Sequence, residues 1–258
     1  MVRLARLVVP GLPHHVTQRG NRRQQTFFCD EDYAAYVELM ADCCKERGVQ
    51  IWAYCLMPNH VHLIVVPSSE DGLGRAIGEA HCHYTRRINF REKWRGYLWQ
   101  GRFASYVMDE PYLLAATRYV ELNPVRAGLT LDAADWPWSS ANAHLSGRDD
   151  RLVRVAPMLA MVSDWRGLLN SAIREEELRD LREHGHTGRP LGNAMFVDRL
   201  ERVVGRILRP RKQVAHQNYS NNHNRCVSPE YRNTPGIHPF VPLFFLWRTK
   251  CCKSSPPE

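Results

Sequence analysis

Residues 50–66 read QIWAYCLMPNHVHLIVV. Two runs rich in aromatic and β-branched residues, Gln50 to Met57 and His60 to Val66, flank Pro58-Asn59, which is the pattern of a β-hairpin closed by a tight turn. Residues two apart on a strand share a face, so His60 and His62 project together while Val61 and Leu63 point the opposite way, into a core. Outward from this hairpin, His14 to Arg19 reads as a strand broken by Gly20-Asn21. Asp30 offers a helix N-cap, and Tyr33, Tyr36, Val37, Met40 and Cys44 then recur at helical spacing up to Gly48. Downstream, a second helix is expected from about Leu73 to Phe90, with Gly74 and Gly78 weakening its start. A short strand from Phe103 to Met108 follows. A third helix begins at Glu110, with Pro111 in its first turn, and ends near Asn123-Pro124. The order β-α-β-β-α-β-α is a ferredoxin-like split β-α-β pattern with one extra helix, hence an α+β fold: an antiparallel sheet with helices on one face.

Three zones divide the 258 residues by texture. Residues 1–145 carry the mixed block just described. Residues 150–210 form a basic helical accessory region, with one helix expected over Asp164 to Glu183 and another after Thr187 to Asn193. From Phe196 onward, Leu200, Val203, Val204 and Ile207 make an apolar stripe, and Arg199, Arg202, Arg206 and Arg209 a basic one on the other side. Such a helix lies along DNA or simply keeps a solvated arginine face. Residues 211–258, rich in Asn, His, Pro and Cys, show no sustained period and are expected to be irregular.

The formal net charge of +8 points to a polyanionic partner or to ordinary solubilising charge. No uncharged apolar stretch approaches the ~18 residues of a membrane span, and the first residues lack a signal-peptide core, so no membrane is expected and a cytoplasmic, nucleoid-associated location is the default. The eight cysteines fall in no C-x-x-C pairing and read as reduced thiols.

Two imidazoles on one strand face make half of a metal site and leave room for water or a phosphate oxygen. Taken alone, the His-x-His spacing is weak. A second segment, Thr117 to Gly128 (TRYVELNPVRAG), sharpens it. Tyr119 and Asn123 are four apart and share a helix face. A tyrosine there can offer its phenol to a phosphate bound at the histidines, with the Asn123 amide oxygen completing a metal shell; packing for Tyr119 and helix termination for Asn123 remain open. His81, Cys82 and His83 do not make a second metal site, because adjacent helical positions diverge by about 100°.

Four ordered motifs, PHHVTQRGNRR at 13–23, MPNHVH at 57–62, WQGRF at 99–103 and YVELNPVRAG at 119–128, together resemble the REP-associated tyrosine transposases of the HUH (His, hydrophobic, His) single-tyrosine superfamily. The likeness spans nearly all of residues 1–145 and reappears over Thr187 to Arg209; from Gln213 it stops. It implies a Mg²⁺ or Mn²⁺ ion held by His60 and His62, Tyr119 as nucleophile, and Asn123 as third ligand. The implied partner is single-stranded or hairpin DNA from repetitive palindromic elements, cut and rejoined through a 5′-phosphotyrosine. Monomer and homodimer stay open.

A tyrosine phenol is largely protonated at neutral pH, so the site must favour its anion through the metal or nearby cations. Arg118 and Arg126 are candidate phosphate contacts. Arg19, Arg22 and Arg23 follow the first strand, where a positive turn would recognise a hairpin foot. Gln100 and Arg102 would grip unpaired bases, while Trp99 and Phe103 stack on bases or pack in the core. Two other readings compete: a non-catalytic DNA- or RNA-binding regulator that keeps the fold, and a hydrolase using the histidines to activate water.

Overall fold

In the computed structural model, which describes residues 6–209, the quoted stretch folds into strands β2 (Val49–Met57) and β3 (His60–Pro67), paired antiparallel with Met57 opposite His60. Strand β1 (His14–Arg19) lies against the other side of β3, with Thr17 opposite His62. Strand β4 (Ala104–Val107) pairs with β1, with His15 opposite Tyr106. The order is β2-β3-β1-β4, and each neighbouring pair is antiparallel.

Alternation gives the sheet two different faces. Val16, Val61, Leu63 and Val65 pack under helices α1 (Asp30–Glu46) and α2 (Gly72–Glu92), together with Tyr36, Met40, Ile77 and Tyr84. Val16, Val61 and Leu63 are fully buried, each such burial being worth roughly 1.5–3 kcal/mol. Ala53, Cys55, Ile64 and Tyr106 point the other way. They meet α3 (Glu110–Glu121) through Leu113, Ala116 and Val120. Helices on one face therefore describes α1 and α2 only. The extra helix covers the opposite face, because its own apolar stripe needs the residues that alternation leaves there.

After α3 the chain takes one short turn, α4 (Asn123–Arg126), then α5 (Ala141–Ser146), α6 (Ala156–Leu159), α7 (Trp165–Asn170), α8 (Glu175–Thr187) and α9 (Ala194–Val204). Met158, Trp165, Leu169, Leu181 and Leu191 join the core beneath α3, so residues 150–209 belong to the same compact unit as the sheet.

Local details depart from the sequence expectation in three places. Asp30 is the first helical residue of α1 rather than its cap; Asp32 instead accepts from the Phe28 amide at 2.9 Å. The helix expected over Asp164 to Glu183 is two helices. Ser171 turns extended, its hydroxyl donating to the Leu168 carbonyl at 2.7 Å, a local bond that competes with helix continuation. The last helix stops at Gly205, in the left-handed region at φ 63°. Arg206, Ile207 and Arg209 thus lie beyond it, and Arg209 folds back onto Asp198 and Glu201. Residues 211–258, expected from sequence to be irregular, lie outside the described residues. Among those described, no helix is long and apolar enough to cross a membrane.

Candidate active site

His60 and His62 stand side by side on the α3 face of β3, ring centroids 5.0 Å apart. Both use Nδ1 for support. His60 Nδ1 meets Asn59 Oδ1 at 2.6 Å, so it carries the proton and leaves Nε2 with a lone pair. His62 Nδ1 lies 3.0 Å from His15 Nε2, and His15 Nδ1 lies 2.8 Å from the Tyr106 hydroxyl, which itself donates to the Leu181 carbonyl at 3.4 Å. With its one proton so placed, Tyr106 accepts from His15 Nδ1–H. His15 Nε2 then accepts from His62 Nδ1–H, and His62 Nε2 is bare. Burial, and secondarily the charge of Arg19, lowers the His60 pKa to about 4. Burial first, then the neighbouring His15, His60 and arginines, holds His62 well below its usual range.

Both imidazoles are therefore neutral at neutral pH and present Nε2, the form and atom that ligate a divalent ion. Asn123, first residue of α4, places Nδ2 3.4 Å from His60 Nε2. Turning over the amide would bring an oxygen to the same spot. Two imidazoles and an amide oxygen fit a divalent cation that keeps open positions.

Tyr119 is half-buried on α3, with its ring edge-on to His62 (centroids 5.8 Å) and to His15 (6.4 Å). Arg126 lies over that ring, its guanidinium carbon 4.1 Å from the centroid. The helix bearing Tyr119 is pinned from behind by Glu121, which is fully buried. Its carboxylate accepts from Ser140 Oγ at 2.5 Å, His144 Nδ1 at 2.7 Å and Trp165 Nε1 at 2.9 Å. Three donors on one carboxylate fix the register of α3, and hence the position of the phenol.

His15, His60, His62 and Tyr119 line one cleft of about 610 Å³. Arg19, Arg23, Gln100 and Arg102 border it from the sheet side, all exposed. Arg182 and His186 of α8 border it from the other side. Those two, like His15 and Tyr106, carry no local signal, because all four reach the site through long-range pairing and helix docking. Arg22 is exposed in the same turn as Arg23, with left-handed backbone, but is not part of the cleft wall. Arg118 is brought elsewhere. Its side chain is buried, bonded to Ser171 Oγ and paired with Glu177 at 3.1 Å, so it fastens α8 to α3 instead of meeting a phosphate. Trp99 and Phe103 are buried, Trp99 stacked on His81 at 4.6 Å, which makes them core residues and leaves Gln100 and Arg102 as the cleft members of that motif. His81 also meets the Tyr36 hydroxyl at 2.9 Å and faces away from Cys82 and His83, which are exposed.

Residues 8–123 match the family described as Transposase IS200 like. That stretch, a little under half of the chain, is similar to an IS200-like transposase domain. The match takes in His15, His60, His62, Tyr119 and Asn123 and ends before α8. A Haemophilus influenzae protein named as a REP-associated tyrosine transposase is 27% identical over 136 residues, covering 48% of this chain and 75% of that one. An Escherichia coli REP-associated tyrosine transposase is 23% identical over 97 residues, covering 37% of this chain and 56% of that one. A solved structure of a REP-associated tyrosine transposase bound to a REP hairpin has the same fold, with a TM-score of 0.50 and 22% identity, covering 60% of this chain and 93% of that one.

Proposed function

We propose that this chain is an IS200-like transposase, a metal-dependent nicking and joining enzyme for single-stranded or hairpin DNA of repetitive palindromic elements, with Tyr119 as nucleophile. The observation that carries the reading is the convergence in one cleft of the His60–His62 pair and the Tyr119 ring, 5.8 Å from His62, with Asn123 against His60 Nε2. His60 Nε2, His62 Nε2 and the Asn123 amide oxygen would hold Mg²⁺ or Mn²⁺. When bound, such an ion supplies Lewis-acid polarisation of the scissile phosphate and offsets charge on the leaving oxygen.

The chain's own residues do the rest. Tyr119 Oη forms a bond to phosphorus and gives up its proton, while the bond from phosphorus to O3′ breaks and O3′ takes up a proton. The products are a 5′-phosphotyrosine and a free 3′-OH. Because the energy of the broken linkage is kept in the new ester, attack by another 3′-OH reverses the step and joins strands without a nucleotide cofactor. Arg126, stacked on the phenol, offers fixed positive charge where negative charge develops. Arg19, Arg23 and Arg102 face the cleft as phosphate contacts, Gln100 as a base contact, and Arg22 as a contact at the outer edge of the same turn. Arg182 and His186 add a second wall from α8.

The test is cleavage of an end-labelled hairpin oligonucleotide with Mg²⁺, with Mn²⁺ and with chelator. The reading expects divalent-dependent cleavage that chelation abolishes. Cleavage indifferent to chelator, or hairpin binding with no cleavage under any condition, would count against it, the latter favouring a binding regulator.

A further inference from the structure

Four Phe, Trp and Tyr side chains are exposed among the described residues: Phe90 (90% exposed), Trp94 (44%) and Tyr97 (86%) fall within eight residues at the end of α2, and Phe28 (38%) meets Trp94. The local fold brings them together. Helix α2 ends at Glu92, and Lys93 turns left-handed. The next residues fold back on the helix end, with the Trp94 amide donating to the Asn89 carbonyl and Asn89 Nδ2 to the Gly96 carbonyl, each at 2.9 Å. Trp94 meets Phe28 edge-on with ring centroids 5.7 Å apart, and the Arg91 guanidinium lies 5.5 Å from the Phe28 ring while bonded to the buried Asp32. Exposed cations alternate with these rings: Arg86, Arg87, Lys93 and Arg95. Glu92 is the sole acid over residues 86–97, and it is paired with Arg91 at 2.7 Å.

The exposed parts of these rings gain nothing for the fold, so their concentration calls for an occupant. Rings interleaved with cations suit unpaired nucleotides, whose bases stack and whose phosphates are neutralised. The patch is also joined to the cleft along the chain. Leaving it, the chain is stitched to the Arg19–Arg23 turn, with the Asn21 amide bonded to the Leu98 carbonyl and the Gln100 amide to the Arg19 carbonyl, each at 2.8 Å. Gln100 and Arg102 then enter the cleft wall.

We propose that Phe28, Phe90, Trp94 and Tyr97, with the cations between them, form a stacking platform for the single-stranded DNA that flanks the hairpin outside the cleft. This rests on the reading of the cleft as a DNA site and extends the path of the strand beyond it.

The experiment measures binding of a labelled hairpin by fluorescence anisotropy, with no tail and with an unpaired tail of about ten nucleotides on either the 5′ or the 3′ side. Three proteins are compared: the wild type, the Trp94→Ala/Tyr97→Ala double variant, and the cleft variant Arg102→Ala. In the wild type, a tail of one polarity should tighten binding about tenfold or more. The double variant should lose that gain and still bind the tailless hairpin as the wild type does, whereas Arg102→Ala should weaken both. No tail effect in the wild type, an equal loss on tailed and tailless DNA in the double variant, or Trp94-dependent binding to anionic phospholipid vesicles without any tail effect would overturn the proposal. Failure of the cleft reading has its own signature, a tailless hairpin whose binding ignores Arg102→Ala, and the platform falls with it.

Discussion

His14 and His15 are neighbours in sequence, both buried, and they serve opposite sides of one sheet. His14 shares its face with Val16. Its Nδ1 bonds the Leu12 carbonyl at 2.8 Å and its Nε2 accepts from the Val9 amide at 3.1 Å, so it only ties the chain together. His15 shares its face with Thr17, and its two nitrogens go to Tyr106 and to His62. The contrast holds for the sheet as a whole. One face pairs aliphatic residues with α1 and α2, where packing is the whole content. The other carries imidazoles, phenols and a rim of arginines, covered only in part by α3 and α8 so that a cleft stays open. Alternation with a period of two thus separates stability from chemistry within the same four strands.

If that division is right, substitutions one residue apart on β3 should have different kinds of consequence. His60→Ala or His62→Ala should lower metal-dependent cleavage by roughly a thousandfold, since a Lewis acid is worth several kcal/mol, and leave hairpin binding within a few-fold in anisotropy assays. Leu63→Ala, on the packing face, should instead cost about 2–5 kcal/mol of stability in urea denaturation and barely change cleavage per folded molecule. Tyr106→Phe sharpens the contrast further. It removes the acceptor that orients His15, and so should weaken Mn²⁺ binding by calorimetry about 10–100-fold with little effect on melting. Rescue of Mn²⁺ binding in a His15→Gln variant, but not in His15→Phe, would identify orientation of His62 as the cause.

A further effect is one of pH on the packing side. Burial lowers the pKa of His14 to about 4 and of His81 to about 3, from 6.5. The unfolded chain therefore takes up protons that the folded chain refuses. Stability from these two groups is full above pH 6.5, declines as pH falls below it, and stops declining near pH 4 for His14 and pH 3 for His81. The slope is at most about 1.4 kcal/mol per pH unit for each histidine. Denaturation midpoints at pH 7, 6 and 5 should fall in that order, and less steeply in a His81→Gln variant.

Most of this architecture could be read locally. The hairpin of residues 50–66, the facing of His60 and His62, and helices α1 to α3 follow from periodicity and punctuation, because each is decided by neighbours in sequence. What escaped the reading is what distant partners decide. His15 becomes a support for His62 only because β1 registers against β3, and Tyr106 only because β4 registers against β1. Arg118 looked like a phosphate contact beside Tyr119, yet Glu177, 59 residues away, claims it. That same pair docks α8 and thereby brings Arg182 and His186 to the cleft. The break at Ser171 and the early end at Gly205 depend on single residues that a smooth helical period conceals.

In the proposed reaction the phenol of Tyr119 becomes covalently attached to DNA at a site organised by His60 and His62. That attachment is tested most directly by incubating the protein with a labelled, tailed hairpin and Mn²⁺, denaturing the mixture, and looking for label that migrates with the protein. A denaturation-resistant species is expected in the wild type and none in Tyr119→Phe, with DNA binding preserved. An adduct that persists in Tyr119→Phe, or cleavage that persists in that variant with no adduct at all, would contradict it.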